Sequence, residues 1–168
     1  MRGKVESVEG NDQILETYEV MRQLRPNVPK SRYVRIVRLQ EAEGGFKLAA
    51  LRENGKITCV AGFRVCHSLG WGKFLYVDDL VTDKRHRSTG AGKAMFRWLV
   101  EHARKEGCRQ LRLDSAVWRH RAHRFYLREG MDIDCFHFSL NLAKADECPD
   151  DVARVKEGES RSVSGRRA

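Results

Sequence analysis

Apolar residues recur along this chain with two periods, and the alternation between those periods separates helices from strands. In residues 13–24, Ile14, Leu15, Tyr18, Met21 and Leu24 return every three or four positions, the spacing of one helical face. Asp12 is placed to cap this helix, and Pro26 and Pro29 end it. Residues 31–43 fit a second helix through Tyr33, Ile36, Val37 and Gln40, with Gly44-Gly45 as its stop; their β-branched content would also suit a strand. The period then shortens. Residues 46–52 and 57–65 read as two strands around Glu53-Asn54-Gly55-Lys56, a hairpin turn in which Asn-Gly tolerates positive φ. Residues 66–73 hold Gly70 and Gly72 and read as a connection into a strand at 74–81. Ala91, Ala94, Met95, Trp98, Leu99 and Ala103 then share a helical face that stops at Gly107. A short strand at 109–114 follows, then a short helix at 121–129 ended by Gly130. A last strand is expected at 135–142, where Phe136, Phe138, Leu140 and Leu142 face one way.

The strand at 74–81, the helix at 90–107 and the strand at 109–114 form a unit that needs a crossover. Those two strands should therefore be parallel, with a right-handed connection. The expected fold class is α/β, with a mixed, mostly antiparallel central sheet, one parallel strand pair and helices on both faces. A chain of 168 residues suits one domain, here 1–142, with residues 143–168 as a charged tail expected to be loosely held. No apolar run is long enough to cross a bilayer, and the polar start carries no signal peptide, so the cytoplasm is the expected compartment. Cys59, Cys66, Cys108, Cys135 and Cys148 form no Cys-x-x-Cys pair and read as reduced, packing thiols.

Charge changes the picture by its location. The net charge of +9 permits anionic partners. Lys84, Arg85, Arg87, Lys93 and Arg97 flank the stretch Arg87-Ser88-Thr89-Gly90-Ala91-Gly92, and Arg119, Arg121 and Arg124 form a second cluster. A strand that turns through glycines into a helix is an anion cradle. The helix's first N–H groups lack partners, its dipole favours negative charge, and glycines let a phosphate approach the backbone. The cations gather around one phosphate-sized turn, and no helix-turn-helix or stacking motif accompanies them, which weighs against a nucleic-acid-binding module. The turn also lacks the Gly-Lys-Ser/Thr ending of a nucleoside triphosphatase loop.

Three segments together carry a resemblance. Leu80-Val81-Thr82, Arg87-x-x-Gly90-x-Gly92 and Ala122-x-x-x-Tyr126-x-x-x-Gly130-Met131 stand in the order and on the elements of the GCN5-related N-acetyltransferases, over roughly residues 5–142. The resemblance implies acetyl coenzyme A as co-substrate. Its pyrophosphate would lie on backbone N–H groups of Arg87, Ser88, Thr89, Gly90, Ala91 and Gly92, with Lys93 just beyond. Its pantetheine arm would pair with the backbone of Leu80, Val81 and Thr82, where the parallel strands splay. A backbone N–H of Leu80 or Val81 would meet the oxyanion, and Tyr126 would lie near the thioester sulfur. Where family members often have an asparagine, this chain has Arg119, which puts one pantetheine contact in doubt. A two-fold dimer is common among relatives. A member that binds acyl coenzyme A without turnover is the other reading within the family.

Amide formation from a thioester needs a neutral amine, a stabilised oxyanion and a leaving thiol. A lysine-like amine, with a pKa of about 10.4, is nearly all charged at neutral pH and must lose a proton. Asp78 is the first candidate base, expected on one strand face with Tyr76 and Leu80. Asp79, expected on the other face, is the runner-up because strand ends can bulge. Tyr126 is the candidate acid for the departing sulfur, and retention of it and of Asp78 favours turnover. Asp114-Ser115 lies at the strand edge where open sheets bind ligands, or serves to form a turn. His120, His123 and His137 lack a recognisable metal-ligand spacing, and no metal is expected. The acceptor is an amine, a small molecule or a protein lysine, and no segment encodes which.

Overall fold

The computed structural model describes residues 3–142. Residues up to His137 form one compact unit; those from Phe138 onward belong to a second, of which only 138–142 are described. The expected charged tail, residues 143–168, lies outside the described residues. In chain order the elements are β1 (Lys4–Val8), α1 (Asn11–Met21), α2 (Lys30–Gly44), β2 (Lys47–Glu53), β3 (Lys56–Ser68), β4 (Gly72–Thr82), a 3-10 turn (Lys84–His86), α3 (Ala91–Lys105), β5 (Gln110–Leu113) and α4 (His120–Arg128).

The strands form one sheet in the order β1-β2-β3-β4-β5. Its first three pairings are antiparallel, and β4–β5 is parallel, as the crossover through α3 requires. Period-two alternation sends side chains to two cores. Leu48, Ala50, Val60 and Val81 pack beneath α1 and α2 with Ile14, Tyr18, Tyr33 and Val37. Ala49, Leu51, Ala61, Phe63, Leu75 and Val77 pack beneath α3 with Ala91, Met95 and Leu99. Helices thus cover both faces. Between α1 and α2 the Thr17 and Tyr33 hydroxyls hydrogen-bond at 2.8 Å, and the Tyr18 hydroxyl donates to the Val28 carbonyl at 3.1 Å.

Several expected boundaries move. β1 was not foreseen: Lys4-Val5-Glu6-Ser7-Val8 has only two apolar residues, and pairing with β2 supplies what its own composition does not. Residues 66–73 are not a connection. β3 and β4 stay paired out to Ser68↔Gly72, leaving a turn of three residues, so the backbone ladder overrides the polar composition there. Asp12 makes no capping bond; Gly10 holds the cap position of α1, and Asp12 lies in the first turn, where its charge suits the helix dipole. The expected last strand is absent. Residues 135–142 join no ladder, and Phe136, Phe138, Leu140 and Leu142 are exposed. Alternation describes a ribbon with two faces, but a strand exists only where a neighbour takes up its backbone groups. Here the contacts are between side chains: Arg112 of β5 reaches Asp134 and Cys135, and Asp114, just past β5, reaches His137.

One irregularity positions the site. Gly62 of β3 faces Asp79 and the next residue, Phe63, faces Val77, so Asp78 is an extra residue bulged from β4. Leu80 therefore packs on the α3 side, whereas Asp78 turns to Arg64, which lies over the Phe46 ring on the other side. The expected sharing of a face between Asp78 and Leu80 does not survive the bulge. Gly62 is required by crowding, because a Cβ there would lie 2.4 Å from the buried Phe46 ring and 3.0 Å from Asp79 Oδ2. Gly62→Ala should lower stability by about 1–3 kcal/mol through this overpacking, read as a lower urea midpoint with an unchanged m-value.

Candidate active site

The site begins where a ladder stops. β4 pairs with β5 only from Phe74↔Gln110 to Val77↔Leu113, although β4 continues to Thr82. From Asp78 to Thr82 the β5-facing edge of β4 has no strand partner, while β3 pairs its other edge up to Thr82. The result is a fork whose floor is backbone.

Beyond Thr82 the chain is anchored before it turns. The Asp83 backbone N–H donates to the Thr58 carbonyl at 2.9 Å, and the Asp83 carbonyl accepts from His86 N–H at 2.8 Å. The buried Asp83 carboxylate accepts from the Arg85 guanidinium, Nη2 to Oδ2 at 2.7 Å and Nε to Oδ1 at 3.2 Å, and from the Arg85 backbone N–H at 2.9 Å. These bonds hold the carboxyl well below the usual carboxylate range. The turn itself uses positive φ at Ser88 (65°) and Gly90 (98°), and the Thr89 hydroxyl donates to the His86 carbonyl at 2.7 Å. Gly90 caps α3 without any side-chain bond, which leaves the first N–H groups of a 15-residue helix pointing outward. Arg87, Ser88, Thr89 and Gly90 are exposed, Ala91 is buried, and a Cβ on Gly92 would meet Thr82 Oγ1 at 3.0 Å. Lys93 extends to Glu129 at 3.5 Å, tying α3 to the end of α4.

Tyr126 lies on α4 against Phe96 and Phe125, with ring centroids 6.5 and 5.4 Å away. Burial pushes its phenol up, and the Arg119 guanidinium partly offsets this. Arg119 precedes α4 as its cap residue, its carbonyl accepting from the Ala122 and His123 N–H groups at 2.9 and 3.1 Å.

Each candidate base has its own arginine. Asp78 takes a two-pronged contact from Arg64, Nε to Oδ2 at 2.9 Å and Nη2 to Oδ1 at 2.8 Å. Asp79 is buried and accepts from Arg25 Nε at 2.6 Å, while Arg25 Nη2 donates to the Asp78 carbonyl at 3.1 Å. Burial pushes the Asp79 carboxyl up, and Arg25 opposes that shift. Tyr76 donates its hydroxyl to Asp114 Oδ2 at 2.6 Å; burial and this bond to a carboxylate push its phenol up.

The structure thus brings Leu80, Val81 and Thr82 to the fork, places Arg87 to Gly92 at its mouth, and gathers Asp78, Asp79 and Asp114 on the opposite side from α3. That these acids could simply pair with an arginine is open to sequence reasoning, but it did not single out Arg25 or Arg64 as the partners. An arginine inside the apolar run of β3, across the hairpin from an acidic pair in β4, was a readable signal for Arg64. Arg25 lies 54 positions from Asp79, and nothing local marks it. The three histidines do not converge on one point: His120 and His123 stack edge to face, with centroids 6.1 Å apart, and His137 lies against Asp114.

Residues 13–131 match the acetyltransferase (GNAT) family. The chain belongs to that family. It is 32% identical over 124 residues to the uncharacterized N-acetyltransferase YhdJ of Bacillus subtilis, spanning 73% of this chain and 87% of that protein. Solved structures with the same fold include the following two. A putative acetyltransferase from Agrobacterium tumefaciens has a TM-score of 0.71 at 20% identity, covering 82% of this chain and 99% of that one. The aminoglycoside N-acetyltransferase AAC(6′)-Iy in complex with CoA has a TM-score of 0.69 at 13% identity, covering 85% and 98%. Members of this family use acetyl-CoA and an acceptor substrate.

Asp83 connects this turn to a pH effect. Its depressed carboxyl contributes stability that is fully present above the unfolded value of about 3.9 and is lost as pH falls toward its folded value. Asp83→Asn should therefore unfold at lower urea than the wild type at pH 7, and the gap between the two should narrow as pH falls below about 4. A gap that stays constant with pH contradicts this.

Proposed function

We propose that the protein transfers an acetyl group from acetyl-CoA to a primary amine by direct attack, with both substrates bound together. The observation that carries this reading is the stretch of β4 from Asp78 to Thr82 that no neighbouring strand pairs, leading straight into an uncapped helix terminus. The first feature suits a ligand arm with amide groups, which can pair with the strand edge. The second suits a diphosphate. The residues present fit both parts: Gly90 adopts a φ of 98° that opens the turn, and the exposed Arg87 and Ser88 flank it.

In this reading the backbone of Leu80, Val81 and Thr82 holds the pantetheine arm, and the N–H groups from Arg87 to Lys93 hold the pyrophosphate. Arg119 stands at the position of the usual asparagine, and its positive charge is felt at Tyr126. The amine attacks the carbonyl carbon, a backbone N–H of Leu80 or Val81 meets the developing oxyanion, and Tyr126 gives its proton to the departing sulfur. Burial that keeps the Tyr126 phenol protonated at neutral pH favours that role. Asp78 and Asp79, matched by Arg64 and Arg25, line the side from which the acceptor enters. Among the described residues no helix is long and apolar enough to cross a membrane.

A thiol-release assay across a panel of amines, with calorimetry of acetyl-CoA binding, tests the proposal. Gly90→Val places a β-branched residue at positive φ and should weaken acetyl-CoA binding about tenfold or more. Tyr126→Phe should lower kcat by about tenfold with little change in that affinity, because a thiol of pKa about 8.5 needs only modest help to leave. Absence of acetyl-CoA binding by the wild type, or unchanged binding by Gly90→Val, contradicts the reading.

A further inference from the structure

The groups that face the fork from the acceptor side leave one charge unmatched. Asp78 pairs with Arg64, Asp79 with Arg25, and Asp134 with Arg112 at 3.0 Å. Among the described residues Asp114 has no arginine partner; its Oδ2 takes the Tyr76 hydroxyl at 2.6 Å and His137 Nδ1 at 2.9 Å. Among the described residues four carboxylates thus stand against three guanidiniums, and the surplus negative charge sits on Asp114, the residue that follows the last paired position of β5. This is the floor of the fork, where β4 and β5 part.

Each acid of the β4 bulge already has an arginine partner. Both Asp78 oxygens are engaged by one guanidinium, and Asp79 is buried against another. His137 differs. Its Nδ1 faces the carboxylate, which fixes the tautomer with hydrogen on Nδ1 and a lone pair on Nε2, and its side chain is 67% exposed. An imidazole with an open lone pair is the side chain most often used as a general base.

We propose that Asp114 and His137 form the acceptor-amine site, with His137 the base and Asp114 the residue that orients it. The inference rests on the acetyl-transfer reading above. Nε2 takes one proton from R–NH3+ and later releases it to solvent. The freed lone pair of R–NH2 forms the C–N bond at the thioester carbon, the C–S bond breaks, and the sulfur leaves with its electron pair. That sulfur takes a proton from Tyr126, and the second proton released from nitrogen restores the tyrosine. The surplus negative charge selects an isolated ammonium group, as in an alkylamine or a lysine side chain, over an amine with a carboxylate on the adjacent carbon. Among the described residues the titratable and charged groups around His137 are Asp114 from the end of β5, Tyr76 from β4 with Asp78 and Arg64 beyond it, and Arg112 with Asp134 and Cys135 on its flank.

The test is the pH profile of kcat/KM for an alkylamine acceptor, in wild type, His137→Gln, Asp114→Asn and Asp79→Asn, with acetyl-CoA affinity measured on each by calorimetry. His137→Gln should lower kcat/KM about 100-fold at neutral pH, abolish the acid limb of the profile and leave acetyl-CoA affinity unchanged. Added imidazole should restore part of the rate to His137→Ala. Asp114→Asn should lower kcat/KM while keeping an acid limb, because the imidazole remains but is no longer held. Retention of the acid limb by His137→Gln, or its loss in Asp79→Asn instead, overturns the proposal while leaving acetyl transfer intact. A wild type that neither binds acetyl-CoA nor releases thiol overturns the underlying reading and the proposal with it.

Discussion

A ladder can be no longer than its shorter strand. β4 has eleven residues and β5 four, and this inequality shapes the molecule's working surface. Main-chain N–H and C=O groups need partners, and β3 supplies them along one edge of β4 as far as Thr82. On the other edge the partners end at Val77. The open groups beyond it must turn to water or to a ligand that imitates a strand. Because this surface is made of backbone, side-chain identity at Leu80, Val81 and Thr82 matters chiefly for how those residues pack: Leu80 against the α3 core and Val81 against the α1–α2 core.

Two supports keep the fork in shape. The first is the bulge at Asp78, which Gly62 permits by leaving room for the Phe46 ring and the Asp79 carboxylate. The bulge turns two successive carboxylates to the side away from α3. Each is matched there by an arginine from a different element, Arg64 from β3 and Arg25 from the segment after α1. The second is Asp83, fully buried, which ties the exit of β4 to Thr58 and Arg85 so that the glycine turn starts from a fixed point. A charge as deeply placed as Asp79 persists because its guanidinium partner compensates the loss of hydration.

What could be read from the chain alone was what local rules encode. The turn at Gly90 and the helix after it announce themselves through residue type, and parallel pairing of β4 with β5 follows from the crossover between them. The Tyr126 helix likewise is marked by its stop at Gly130. The features that escaped depend on distant partners. β1 is a strand because β2 is beside it, and the ends of β3 and β4 extend through polar residues because the ladder between them continues. The reverse error arose at 135–142, where clean alternation suggested a strand and no ladder forms. The bulge was considered for the strand end, yet its position against Gly62 depends on a register that single-strand periodicity cannot supply. Arg25 and His137, far in sequence from Asp79 and Asp114, meet them only through the fold.

The central claim is that the unpaired edge of β4 is a seat for the arm of acetyl-CoA. Amide hydrogen exchange in residues 78–82, measured with and without acetyl-CoA, tests it most directly. The account predicts that exchange there slows when acetyl-CoA is added, together with that of the first turn of α3, while β1 and β2 are unaffected. Unchanged exchange in residues 78–82 under saturating acetyl-CoA would contradict it.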